Sequence, residues 1–203
     1  MRVARYFLGA GCVLLLIAWG ASIASARRIT ANESRFGVIW TPSFSNAVET
    51  VSCERITLTG SFHSRTIVKT VGALIGYIIA ASIREPTRCV GGSARTLTEG
   101  LPWHFLYQGF TGTLPNITAI SFRIIGLNIG VTSAGTTCLY RSTLANPAGI
   151  IANREAGGAV SSVRSDETLQ IPPSGGFPCE FNGSERISGT GAGVENPIVF
   201  RLI

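Results

Sequence analysis

SRTIVKTVGALIGYIIAASIRE, Ser64–Glu85, decides what kind of fold this chain has. Its apolar residues Ile67, Val68, Val71, Leu74, Ile75, Ile78, Ile79 and Ile83 recur at the three-then-four spacing of a helix with one wide apolar stripe. The spacing predicts a helix over about 65–84, ended by Pro86, since a residue before proline is pushed out of the helical region. Gly72 and Gly76 oppose it, each costing about 1 kcal/mol against alanine in a helix interior. Such a helix would need tertiary packing, or would use its glycines for close approach to a sheet. A membrane span is the competing reading, but the uncharged run from Thr70 to Ser82 falls short of the roughly 20 residues a bilayer requires.

Upstream the period changes. In SCERITLTGSF, Ile56, Leu58, Gly60 and Phe62 fall on one side and Thr57, Thr59 and Ser61 on the other, the alternation of a half-buried strand. Phe36 to Trp40 reads as an edge strand stopped by Thr41-Pro42, and residues 27–35 as a flexible polar arm. Before the arm, Arg2 and Arg5 precede an apolar run that ends at Ala24-Ser25-Ala26. That order is a signal peptide over residues 1–26, with cleavage placing Arg27 first. An uncleaved anchor is the alternative, because the apolar run is nearly long enough to span a bilayer. Cys12 is not placed as a lipid-attachment cysteine: Gly9-Ala10-Gly11 precede it and the most apolar residues follow it.

Downstream the signals are nearly all β. LPWHFLYQGF, Leu101–Phe110, puts Leu101, Trp103, Phe105, Tyr107 and Gly109 on one face of a strand and His104, Leu106, Gln108 and Phe110 on the other. ITAISFRIIGLNIGV is the longest strand candidate, with Ile120, Phe122 and Ile124 on one face and a bend at Gly126. Further strands are expected at Ala94–Thr98, Thr136–Ser142, Ala159–Arg164, Thr168–Ile171, Glu185–Gly189 and Ile198–Ile203, with Gly and Pro between them. The fold class is therefore mainly β: one antiparallel β-sandwich or barrel-like domain over 36–203, with one packed helix.

Four cysteines follow the leader, Cys53, Cys89, Cys138 and Cys179, and an even count in an exported chain reads as two disulfides. Cys53–Cys89 and Cys138–Cys179 are the favoured pairs among three connectivities. Without Arg2 and Arg5, 15 basic residues face 11 acidic ones, a mild formal charge of +4. The arginines are scattered along the chain, so no nucleic-acid partner is expected. Membrane contact is expected only through the N-terminal segment, if it stays uncleaved.

The chemistry is defined mostly by exclusion. GxSxG and a P-loop are absent, and Asp166 is the sole aspartate, so no calcium loop can be built. No CxxC offers a zinc site, and two histidines do not make a metal centre. No cofactor, metal or catalytic residue is assigned. Asn32-Glu33-Ser34, Asn116-Ile117-Thr118 and Asn182-Gly183-Ser184 match the glycosylation acceptor pattern, though such triplets are common by chance. The candidate binding residues are Trp103, His104 and Tyr107, together with His63 of GSFHSRT. Trp103 or Tyr107 would serve as a stacking platform if exposed and as core if buried.

Together the leader, GSFHSRT, LIGY, LPWHFLYQGFTGTLPNI, CLYRS and the terminal RLI resemble a group of exported proteins of high-GC actinobacteria to which no activity is assigned. The resemblance spans nearly the whole mature chain and implies export and a shared fold, with no catalytic residue to carry over. The expected function is a secreted or cell-envelope binding or structural module, with a cell-surface glycan or envelope protein as partner. The competing expectation is a secreted hydrolase using His104 or His63 with a nearby serine or carboxylate. A binding module should expose aromatic rings on a shallow face; an enzyme should gather polar groups around a histidine in a pocket.

Overall fold

A computed structural model of the chain describes residues 28–45, 49–83, 89–113, 116–165, 173–174, 186–193 and 198–202. The first strands are β1 (Arg28–Ala31), β2 (Arg35–Ser45), β3 (Thr50–Cys53), β4 (Ile56–Phe62), β5 (Thr66–Val68) and β6 (Leu74–Ile83). Next come β7 (Cys89–Val90), β8 (Ser93–Thr96), β9 (Trp103–Thr113), β10 (Asn116–Ile125), β11 (Asn128–Ser133) and β12 (Thr136–Arg141). The chain ends with β13 (Ala148–Arg154), β14 (Val160–Ser165), β15 (Pro173–Ser174), β16 (Arg186–Gly193) and β17 (Phe200–Leu202).

Strands β2, β4, β6, β9, β10, β13, β14 and β16 pair in that order, each antiparallel to the next. The ring closes where β16 returns to β2, from Arg186 opposite Ser45 to Gly193 opposite Val38. The antiparallel architecture read from the alternation is thus a closed barrel whose strand order follows chain order, an arrangement that leaves no open edge in the ring. Two smaller sheets cover its ends. The sheet β15-β12-β11-β8 meets the Ser45 end of β2, where the rings of Phe44 and Tyr140 lie 5.3 Å apart. The sheet β17-β1-β5 meets the Arg35 end, where Phe200 lies 6.0 Å from Phe62.

Inside, Phe36, Phe62, Phe105, Phe122 and Phe200 form one aromatic cluster with neighbouring centroids 4.7 to 6.1 Å apart. Each buried ring of this kind contributes roughly 1.5 to 3 kcal/mol. Phe36 can lie over its cross-strand neighbour Gly60 because a Cβ there would sit 2.3 Å from the Phe36 ring.

The helix expected over 65–84 is not formed. Thr66–Val68 and Leu74–Ile83 are strands, joined through a turn in which Gly72 takes φ +79°. The helical spacing comes from a bulge. Gly60 faces Ile78 but Thr59 faces Ala80, so Ile79 is the extra residue and the buried positions step from Ile78 to Ala81. That step of three imitates a helix turn. The close approach at Gly76 is therefore between two strands and not between a helix and a sheet: a Cβ there would collide with the Ser61 carbonyl oxygen of β4.

Two smaller expectations are also corrected. Arg28–Ala31, read as part of a flexible arm, pairs with β17 on one side and β5 on the other, and Ile29 is fully buried. β2 is no edge strand and runs through Thr41-Pro42; Pro42 falls between the last pairing with β4, at Trp40, and the first with β3, at Ser43. The ladder tolerates the missing amide at that junction.

Cys53 and Cys89 face each other across β3 and β7 and form a disulfide. Cys138 is also disulfide-bonded; its expected partner Cys179 lies outside the described residues. So do the expected signal peptide over 1–26, Asp166, the expected strand Thr168–Ile171 and Asn182. Among the described residues no helix is long and apolar enough to cross a membrane.

Candidate functional site

The pleat of β9 sorts the aromatic stretch. Trp103, Phe105 and Tyr107 point into the barrel, with Trp103 at 0% and Tyr107 at 2% exposure, while His104 between them is exposed. The stacking role considered for Trp103 and Tyr107 is therefore excluded, because neither ring reaches solvent. The Trp103 indole fits beside Gly100 and Gly126, and burial pushes the Tyr107 phenol above the ordinary tyrosine range.

On the outer wall the two histidines come together through a residue that the sequence reading did not select. Cross-strand register places Ser61 opposite Tyr77 and Tyr77 opposite His104. His63 follows β4, and its amide donates to the Ile75 carbonyl at 2.9 Å. The His63 ring lies 4.7 Å from Tyr77, and Tyr77 lies 5.5 Å from His104. β4 and β9 do not pair directly; β6 runs between them and supplies the connecting ring. The result is a line of three rings on a convex wall, with both imidazoles exposed and Tyr77 half-buried.

This line offers flat ring surface and hydrogen-bonding edges, which suits it to contact rather than to covalent chemistry. Among the described residues no three His, Cys, Asp or Glu side chains gather to hold a metal. An internal cavity of about 60 Å³ lies inside the barrel, bounded by residues including Phe36, Trp40, Phe105, Phe122, Val163 and Phe200, and neither histidine borders it.

No protein-family model, curated protein or solved structure matches this chain.

One polar side chain ties the barrel to its end sheet. Arg154 on β13 donates from Nη1 to the Ile117 carbonyl and from Nη2 to the Phe200 carbonyl, fixing the terminal strand against the barrel mouth. Burial lowers its pKa below the usual guanidinium value. The cavity is a matter of packing and can be tested as such. Val163→Ile adds one methylene, about 0.8 kcal/mol if buried without strain, and should raise Tm by about 2 to 3 °C. A fall in Tm would mean that the space does not admit a relaxed rotamer.

Proposed function

We propose that this chain is a secreted or cell-envelope binding module whose contact surface is the outer wall around His63, Tyr77 and His104. One observation carries the reading: a tyrosine ring flanked by two exposed imidazoles on a rigid, doubly paired strand. A paired strand holds such rings in place at little further entropic cost on binding. The Cys53–Cys89 bridge supports an oxidising compartment, and the leader-like N-terminus and the resemblance to exported actinobacterial proteins support export as its route. The hydrolase alternative draws less support, since its two histidines flank a tyrosine on the outer wall and neither borders the cavity inside the barrel.

The test is retention of the processed protein on an insoluble polysaccharide fraction of a bacterial envelope. Tyr77→Ala, and separately His63→Ala with His104→Ala, should reduce retention about tenfold, the scale of one lost ring contact. Far-ultraviolet circular dichroism should stay unchanged. Undiminished retention of both folded variants would refute the wall as the contact surface.

A further inference from the structure

We infer that a turn at the Arg35 end of the barrel seats the domain on an anionic phospholipid bilayer, a contact separate from the wall around Tyr77. Among the described residues the large apolar side chains left exposed are Val68, Val71, Leu74, Ile79, Val90 and Leu144, and three of them lie in 68–74. Val68 ends β5 on the outer face of the end sheet, Val71 is the most exposed of the three at 65%, and Leu74 opens β6. The turn between them is held firmly. The Ala73 amide donates to the Thr70 carbonyl and Gly72 takes φ +79°, the pattern of a type II turn with Val71 at its corner. The Gly72 amide also donates to the Tyr107 carbonyl, and the Tyr107 amide to the Ala73 carbonyl, which clamps the turn to β9. Exposed apolar side chains held together in this way mark a contact surface.

Two observations point to a bilayer as the occupant. The first is where the chain enters. Arg28 faces Val68 across β1 and β5, so the chain joins the domain at the same end of β5 as the turn. In sequence only Ser25, Ala26 and Arg27 separate Arg28 from the apolar run that closes at Ala24. A chain exported through that run emerges with this end toward the lipid, and an apolar turn there can hold it after cleavage. The second is charge. Arg28 and Lys69 border the apolar side chains, and the segments that meet there, 28–30, 66–74 and 106–110, carry no acidic residue. Lys69 Nζ lies 5.6 Å from the centroid of the Phe110 ring, so the ammonium rests on an apolar ring and can still reach a headgroup phosphate. The described carboxylates of this end lie elsewhere. Glu33 follows the far end of β1, and Glu155 is in the β13–β14 turn, whose Gly158 carbonyl accepts from the Phe200 amide on the side of β17 away from β5. Apolar burial and attraction to anionic lipid together hold a protein at a membrane surface.

Sedimentation with sucrose-loaded vesicles tests this on the processed protein, which lacks the leader's own affinity for lipid. It should bind phosphatidylcholine vesicles containing about 30% phosphatidylglycerol at least about tenfold more tightly than phosphatidylcholine alone. The difference should shrink as salt rises from about 0.05 to 0.5 M. Val68→Thr with Val71→Ser should weaken binding to the anionic vesicles about tenfold. Leu144→Ser, an exposed apolar residue between β12 and β13 at the Ser45 end, should leave it unchanged. Val71→Trp should tighten binding at least about threefold and shift tryptophan emission to the blue on vesicles. Trp40 and Trp103 are buried, so the shift reports the turn. Equal binding to both vesicles, binding to neither, equal loss in Leu144→Ser, or no blue shift in Val71→Trp would each overturn the inference. So would self-association without vesicles that Val68→Thr with Val71→Ser abolishes, because the turn would then be an interface between copies of the chain.

Discussion

Trp103→Ala should destabilise the protein by about 3 to 5 kcal/mol, whereas His104→Ala, one residue on, should change stability by no more than about 0.5 kcal/mol. The contrast follows from the pleat. Trp103 is wholly buried opposite Ile78, and its indole occupies space left beside Gly100 and Gly126, so alanine leaves a void walled by backbone that cannot collapse cheaply. Among the described residues the indole Nε1 has no hydrogen-bond partner, so its removal strands no described acceptor and the loss is one of packing. His104 points outward beside Tyr77 and contributes to the wall rather than to the core. Urea denaturation of both variants measures the pair. Equal losses would mean that β9 is displaced by one residue, since a slip of one exchanges every inward side chain for an outward one.

What the sequence conveyed depended on whether a local period survived the tertiary bends. Ile56 to Phe62 alternates without interruption and forms the expected strand with the expected face inside. Ile120, Phe122 and Ile124 are likewise all buried along β10. Around Ile79 a bulge resets the period, and at Gly72 the chain turns, so two strands present a helix-like spacing that no local rule separates from a helix. Closure of the barrel was out of reach for a different reason. It depends on Trp40 meeting Gly191 and their neighbours, a pairing between distant segments that carry only weak apolar alternation in β16. The site was half legible. His63 and His104 were visible as the chain's two histidines, but Tyr77 joins them only once residues 74–83 are a strand.

Replacing both members of the first bridge, Cys53→Ala with Cys89→Ala, should cost about 4 kcal/mol, or a fall in Tm of roughly 10 °C for a chain of this size. The cysteines are 36 residues apart, so the bridge closes a moderate loop in the unfolded chain, and most of the effect is the entropy returned to that chain when the link is absent. A local effect should accompany it. β7 is two residues long and pairs with β3 at Ser52–Val90 and Cys53–Cys89, so without the sulfur link its described attachment to β3 is reduced to those two pairs. The barrel ring does not run through β7, and its closure between β16 and β2 should persist. Amide exchange should therefore quicken in β3 and β7 well beyond any change in β9 or β10, while the double variant keeps its β-rich far-ultraviolet spectrum. Using the double variant instead of a reductant leaves the bridge of Cys138 in place, so the loss belongs to one link. A loss below about 1 kcal/mol would mean that the unfolded chain already holds these segments together and that the bridge restricts little that is free.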